Sequence, residues 1–582
     1  MKHPLQLIYH HYFPALKRFV AASFFLYTLF AFIAKGILQF LFNRILLFAG
    51  VTGLTKDNLA IIIKEPLALL CLFAFLILAS GFLLIEFSVL TLAVTDLWHI
   101  DSLKILLKRL PSKLRQLFSW QAFIVLAYLI LMIPLDNLGF SSALLEHLKI
   151  PNFINDELLK TSSGTLLLTS ILLVTAYLNI RLISFLPLLG ITDKTPKEAL
   201  YASWQESKGS KLFKRLGLII LLTSLSFIIV TALLLGVTLL FAVIDSRGDN
   251  LPLATLFYSL VSLLVYIFIL FVKFVFIIEA TKHLTLPEAL AQSTKKPTSR
   301  RYRIITSSFV MLVSIVWLVG NALSIYLVQD NSDEVLIAHR GDVTAGVENS
   351  IEALQAAHQK GADFSEMDVV MTKDNRFAVI HDNNLKRLAG IDKTVSQMTL
   401  KDLQKLTIHQ GSFSSHIASL EEFLRAAERI GQPLMIELKP YGHEPDDYVE
   451  RFLAVLESEK ATHHKVMSLN KEVIEKVERL TPSISTGYLI PLQIGPLANY
   501  PVDFYAVEEF SFNPIFALSA EQQGKDTYVW TVNDDTLMTK ILLSPTNGVI
   551  TDELNLFNDK QKELKKDTTY FERALKLFES QD

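Results

Sequence analysis

Seven long, nearly unbroken apolar runs dominate the first 330 residues, at about 18–42, 66–94, 117–135, 165–190, 216–244, 253–280 and 304–328. A hydrocarbon core about 30 Å thick takes about 20 helical residues to cross. Runs this long and this numerous have no use in a soluble core. The pattern therefore predicts an all-α domain of seven transmembrane helices over residues 1–330. The first run follows early positive charge, as in a signal peptide, but its length predicts a helix that stays attached. From Val335 the period changes. Short apolar runs such as "VLIAHR", "FSEMDVVM", "FAVIHD", "PLMIELK", "TYVWTV" and "GVITD" alternate with amphipathic stretches such as "SLEEFLRAAERIG". Strand–helix alternation at this spacing predicts a (β/α)₈ barrel over residues 331–582.

Charge separates the same two parts. Residues 1–330 hold 29 Lys and Arg against 17 Asp and Glu, a net of +12; residues 331–582 hold 26 against 40, a net of −14, giving −2 in all. The acidic half argues against a nucleic-acid partner. The single cysteine, Cys71, excludes a disulfide within the chain. Lys and Arg concentrate in loops 96–116, 191–215 and 281–303, which carry five, six and six of them. Basic loops stay in the cytosol. The N-terminus is thus expected inside and, after seven crossings, the barrel on the extracytoplasmic face. The second, fourth and sixth runs end in similar text, "IEFSVLTLAVTD", "IRLISFLPLLGITD" and "VKFVFIIEATK". A short polar segment follows each, so the domain reads as three helical hairpins and a connecting helix. Glu86, Arg181 and Lys273 fall at matching depth in these three runs. A charge at that depth needs a partner or a cavity, so Glu86 is expected to contact Arg181 or Lys273.

In barrels of this kind, function sits at the C-terminal ends of the strands. His339 and Arg340 follow one strand directly, and His381 closes another. Glu366 and Asp368 lie two apart on a strand, as do Glu437 and Lys439, so each pair shares a face. Singly, each has an ordinary explanation as a polar cap or as the partner of a buried arginine. Together they place three carboxylates and a lysine where a barrel is normally apolar, which is costly without bound ions. Three carboxylates form a hard-oxygen site suited to Ca²⁺ or Mg²⁺. Arg340 and Lys439 suit a phosphate, and the two histidines suit general acid–base work.

The ordered set "HRG", "VENS", "GADFSEMDVVMTKD", "HDNNLKR", "IELK", "VWTVND" and "GVITD", from Val335 to Leu554, resembles the glycerophosphodiester phosphodiesterases. The preceding part is similar to the membrane domain fused to some bacterial members. The resemblance implies that His339 and His381 are the acid–base pair and that Glu366, Asp368 and Glu437 are the metal ligands. It makes Arg340 and Lys439 phosphate contacts, Glu348 an acid behind them, and Trp530 part of the glycerol or leaving-group pocket. The family's proline before Glu348 is Val347 here, its threonine is Ser350, and its glycine after Asp374 is Asn375. None of these removes a catalytic group. Residues from about Asn383 to Ala418 fit the family's small insertion, where substrate preference would be set.

The implied reaction is metal-dependent hydrolysis of a glycerophosphodiester to glycerol 3-phosphate and an alcohol, with the glycerol 2-hydroxyl as a candidate nucleophile. The roles of the two histidines stay open. A different class of protein remains an alternative: a membrane scaffold or transport component whose barrel binds a glycerophosphate ligand. A pure binder needs neither acid nor base, which favours the enzyme. The linker "QDNSDE" is short, and tethering to the bilayer favours substrates held near it. These are a polyglycerophosphate of teichoic-acid type or a lipid headgroup, of which the polymer suits an outward mouth.

Overall fold

The computed structural model describes residues 13–50, 64–95, 100–116, 118–132, 159, 162–284, 300–327, 334–493, 497–564 and 569–579. The chain divides into two compact units, Met1–Val51 with Ala60–Ile325, and Thr52–Leu59 with Tyr326–Asp582. The linker expected at residues 329–334 and the third polar repeat segment, residues 286–296, lie largely or wholly outside the described residues.

The first unit is helical, with helix in every predicted apolar run. Pro66–Val94, Ser163–Ile191, Ser210–Ile244 and Leu251–Thr281 are long and apolar enough to cross a membrane. Among the described residues, four candidate spans therefore stand against the seven expected. The first run is helical over Phe13–Leu29 and Lys35–Ala49 but is interrupted by a π-helical turn, Phe30–Ala34. Ala122–Met132 and Val310–Tyr326 are apolar but shorter.

Two of the polar repeat segments are helices, Ile100–Gln116 and Pro196–Glu206. The second starts with a capping box between Thr195 and Glu198. Arg109 of the first donates to Ile191 O at 2.9 Å and pairs with Asp193, and Lys113 donates to Lys194 O at 3.1 Å. These bonds tie the segment to the end of the next hairpin. Gly190 there lets Phe185–Ile191 lie against Pro66–Val94: a Cβ at that position would stand 2.1 Å from Ser88 Oγ.

The intramembrane charges resolve as two different arrangements. Lys273 Nζ donates to Glu86 Oε1 at 2.6 Å, with both side chains buried. Arg181 instead stacks on Trp204, its Cζ 3.9 Å from the ring centre, and donates to Ser207 Oγ and Trp204 O. The helix carrying it breaks just beyond, at residues 182–184, and resumes at Phe185.

The second unit contains a closed parallel barrel. Its strands are β1 (Val335–Ala338), β2 (Phe364–Met371), β6 (Leu434–Leu438), β7 (Lys465–Ser468), β8 (Thr486–Ile490), β9 (Phe504–Glu508), β10 (Asp526–Trp530) and β11 (Gly548–Thr551). Each pairs in parallel with its neighbour, and the β1–β2 pairing closes the ring. The remaining strands are antiparallel: β3 (Phe377–Val379) on β2, and the hairpin β4 (Thr407–Gln410) with β5 (Phe413–His416).

Alternation sorts the side chains. Leu336, Ala338, Met367, Val369, Leu434 and Ile436 pack outward beneath the helices. Ile337, Met435, Met467, Leu489, Phe504 and Tyr528 fill the interior. Lys465 enters this interior at the start of β7. Its Nζ lies 5.1 Å from the Phe504 ring centre and 5.5 Å from that of Tyr528, where cation–π attraction offsets burial. Gly487 leaves room for Phe504, whose ring would stand 2.0 Å from a Cβ there.

Candidate active site

The period-2 face that is apolar at the start of β2 and β6 becomes ionisable further along them. On β2 the inward column runs Phe364, Glu366, Asp368; on β6 it runs Met435, Glu437. Asp368 and Glu437 are register partners across these neighbouring strands. One oxygen from each of Glu366, Asp368 and Glu437 lies within 4.8 Å of the others, and all three residues are buried.

Past the end of β1 the chain turns sharply. Arg340 has φ +58° and Gly341 φ +82°. A Cβ on Gly341 would stand 2.8 Å from Ala353, so the turn requires glycine twice over, for its dihedral and for its contact. The uncommon Arg340 conformation is held from both sides: its N–H donates to Glu366 Oε2 at 2.8 Å and its carbonyl accepts from Asn349 N–H at 2.9 Å. Asn349, itself at φ +59°, clamps Asp368 by donating to Oδ2 and accepting from its backbone N–H. Ser350 then caps the helix Ile351–Gln359, its Oγ accepting from Ala353 N–H. A serine fills this role as a threonine would.

Cations surround Asp368. Lys439 Nζ donates to Oδ1 at 3.0 Å, and Arg340 Nε stands 3.4 Å from Oδ2. Burial opposes its ionisation, but Lys439 and Arg340 prevail and hold its carboxyl well below the usual range. The other two acids go the opposite way. Burial, then repulsion from Asp368 and Glu437, raises Glu366 well above its ordinary value. Burial and repulsion from Asp368 raise Glu437 to about 7 despite Lys439.

Glu437 Oε1 is buried and accepts no hydrogen bond. An oxygen-only donor set with an unused buried acceptor, in which two acids resist ionisation, fits a divalent cation. The residues present could therefore hold one.

Each predicted histidine is backed by a carboxylate. His339 Nδ1 lies 2.9 Å from Asp552 Oδ1, whose Oδ2 accepts from Asn533 Nδ2 at 2.7 Å. His381 Nδ1 lies 2.7 Å from Asp382 Oδ1. Burial, then Arg340, lowers His381 to about 4 against the pull of Asp368. Glu348 joins Arg340 Nη1 at 3.1 Å and is forked by Arg387 at 2.6 and 2.8 Å. Trp530 ends β10, packs on the interior cluster and donates Nε1–H to Ala506 O.

Of the nine residues singled out in the sequence, Glu366 and Asp368 lie within β2, Glu437 and Trp530 at the ends of β6 and β10, and His339, Arg340, Glu348, His381 and Lys439 just beyond a strand or in the turn after β1. Asn349, Asp382, Arg387, Asn533 and Asp552 stand in the motifs "VENS", "HDNNLKR", "VWTVND" and "GVITD", but the sequence reading assigned none of them a role. The signal for the aspartates was their place: each ends a strand motif, "VIHD" and "GVITD", as the histidines do.

A family profile described as "Membrane domain of glycerophosphoryl diester phosphodiesterase" matches residues 1–319, more than half the chain. A second, the "Glycerophosphoryl diester phosphodiesterase family", matches residues 339–556. The chain belongs to the glycerophosphoryl diester phosphodiesterase family. Within that family, the glycerophosphodiester phosphodiesterase of Caldanaerobacter subterraneus subsp. tengcongensis is 27% identical over 241 residues, 38% of this chain and 94% of that one. That of Bacillus subtilis is 28% identical over 278 residues, 42% of this chain and 89% of that one. Among solved structures, an Oleispira antarctica phosphodiesterase in complex with the product sn-glycerol-3-phosphate is 22% identical. It has a TM-score of 0.36 and covers 39% of this chain and 96% of its own. The chain is a phosphodiesterase of this family, with a membrane domain that its long apolar helices fit.

A second acid–histidine group, Glu428, His463 and His464, lies elsewhere. Leu434 N–H points at His464 Nδ1 at 3.3 Å, so the ring proton of a neutral His464 sits on Nε2. That nitrogen then has no lone pair for a metal.

Proposed function

We propose that the protein carries out metal-dependent hydrolysis of glycerophosphodiesters at the extracytoplasmic face of a cell membrane. It would release glycerol 3-phosphate and an alcohol. The carrying observation is the convergence of two histidine–carboxylate dyads, three buried carboxylates and two cations at one end of the barrel. Residues 1–330 are read as the membrane domain and 331–582 as the catalytic domain. The basic loops support a cytoplasmic N-terminus and an outward barrel.

In this reading Arg340 and Lys439 bind the phosphate and Trp530 lines the pocket for glycerol or the leaving group. Glu366, Asp368 and Glu437 would hold Ca²⁺ or Mg²⁺, which when bound neutralises phosphoryl oxygens and lowers the pKa of a hydroxyl. His339 and His381 each direct Nδ1 at a carboxylate, which leaves Nε2 for proton exchange with substrate. One accepts the proton of the attacking glycerol 2-hydroxyl and the other donates to the departing alcohol oxygen; water then opens the resulting cyclic phosphate to glycerol 3-phosphate, with the two proton transfers reversed. Asp552 and Asp382 steady the imidazolium that forms on either side. Glu348 holds Arg340 in place.

Tethering to the bilayer supports a membrane-held substrate, of which a polyglycerophosphate chain is the better fit to a hydrophilic site. The test is phosphorus NMR of the purified full chain with small glycerophosphodiesters, polyglycerophosphate and liposomal lipid, each with Ca²⁺ or Mg²⁺. Release of glycerol 3-phosphate only with metal is expected. Cleavage of bilayer lipid alone would overturn the polymer preference, and no cleavage of any diester would overturn the reaction.

A further inference from the structure

Between β3 and β6 the chain leaves the barrel to build a small structure of its own. It comprises the one-turn helices Lys386–Ala389 and Leu400–Leu403 and the β4–β5 hairpin. Leu385, Leu388, Val395, Leu403 and Ile408 form its core against Val370 of β2. Arg387 projects from the first of these turns and touches two acids that belong to different parts of the site. Its Nε donates to Asp382 Oδ2 at 2.6 Å. Its Nη1 and Nη2 donate to the two oxygens of Glu348 at 2.8 and 2.6 Å.

Each acid has its own client. Asp382 holds His381 at 2.7 Å through its other oxygen, and Glu348 holds Arg340 at 3.1 Å. The Glu348 backbone N–H in turn donates to Gln410 Oε1, at the end of β4, at 2.7 Å. One planar guanidinium thus spans the proton-transfer side and the phosphate side of the site.

We propose that Arg387 is a positioning residue for the hydrolytic reaction, fixing His381 through Asp382 and Arg340 through Glu348, and that the insertion is thereby a working part of the site. The inference rests on the hydrolytic reading above. The fork geometry is what the role needs. Three coplanar N–H groups meet three carboxylate oxygens in fixed directions, which a lysine ammonium cannot reproduce. Both acids are held ionised against their burial, Glu348 down to about 2, with Arg387 a principal cause. Losing Arg387 would leave two neighbouring carboxylates with one cation fewer and free Asp382 to rotate with its histidine.

The experiment compares the full chain in detergent as wild type, Arg387→Lys, Arg387→Ala and Glu348→Gln/Arg387→Ala. We expect kcat to fall about 10–100-fold in both single variants, as for other residues that orient a reacting group, with the larger part of the loss in kcat rather than KM. Added guanidinium should restore part of the Arg387→Ala activity, and the double variant should be little worse than Arg387→Ala alone, since both act through one network. Wild-type kcat in Arg387→Lys overturns the inference. So does a loss in Arg387→Ala that guanidinium leaves untouched and that a lowered unfolding temperature accompanies. An inactive wild type in the same assay overturns the hydrolytic reading itself, and this inference with it.

Discussion

His339 and Asp552 meet at 2.9 Å across 213 residues of sequence, because β1 and β11 are neighbours and both residues follow the last paired position of their strands. Asn533 completes the arrangement by donating to the far oxygen of Asp552, and accepting its N–H, at 2.7 and 2.9 Å. The acid is therefore aimed, and its substitution should act on the histidine alone. Asp552→Asn keeps the shape but offers Nδ1 an amide that favours the wrong tautomer. We expect its kcat to fall about 10²-fold or more, close to the loss from His339→Ala or His381→Ala, since general acid–base groups contribute about 10²–10⁴-fold. Single-turnover rates at saturating diester check this. Normal turnover in His381→Ala or Asp552→Asn would sink the dyad roles.

The metal triad makes a prediction that needs no activity measurement. Glu366 and Glu437 are each raised by burial and by repulsion from Asp368, so like charge crowds the three carboxylates. Glu437→Gln removes one of those charges while its Oε1 has no hydrogen bond to lose. In chelator the variant should unfold at the same temperature as wild type or higher. Adding Ca²⁺ or Mg²⁺ should raise the wild-type midpoint, by about 2.7 kcal/mol of stability at a hundredfold excess over Kd, and the variant's far less. Equal metal-induced shifts in the two proteins would refute the ligand assignment.

This carboxylate set was legible in the sequence because a strand repeats every two residues: Glu366 with Asp368, and Glu437 with Lys439, declare one face without any structure. The clamps were not. Asn349 and Arg340 reach their partners through left-handed backbone, which spacing does not reveal. Arg387 sits on a single helical turn, too short to carry a period. The membrane unit shows the same divide. Matching depth offered Glu86 either Arg181 or Lys273; the choice of Lys273 turns on the stacking of Arg181 on Trp204, which depends on a helix break and a return segment. The first apolar run reads as one span, yet a π-helical turn interrupts it at Phe30–Ala34.

His464 predicts an acid-side loss of stability. It is buried, and burial, then His463, lowers its pKa from 6.5 to about 3; Glu428 lies 3.4 Å from its Nε2. Above pH 6.5 both the folded and unfolded chains leave it neutral, and its contribution is complete. Below that the unfolded chain takes up a proton that the folded chain refuses, so stability drains away as pH falls towards about 3. The slope approaches about 1.4 kcal/mol per pH unit. His464→Gln should flatten this part of the curve. Chemical denaturation between pH 7 and 4.5 measures it, and identical pH slopes in the two proteins would falsify the assignment.

The last prediction concerns Glu86 and Lys273. Each is buried in the helical unit, and their 2.6 Å contact joins Pro66–Val94 to Leu251–Thr281, both long and apolar enough to cross a membrane. Taking either charge out of water is costly, and their attraction does little more than repay it. The two single substitutions and the double therefore differ in kind. Glu86→Gln takes the carboxylate away from Lys273, and Lys273→Met takes the ammonium away from Glu86, each in a setting that solvates charge poorly. Each should cost about 3–5 kcal/mol. The double variant Glu86→Gln/Lys273→Met removes both charges and should recover most of that loss, giving a strongly non-additive cycle. Unfolding of the detergent-solubilised full chain, followed by tryptophan fluorescence, supplies the four values. A double variant as unstable as the two singles summed would mean that the charges act independently, each satisfied by something other than the other, and the pairing would lose its energetic meaning.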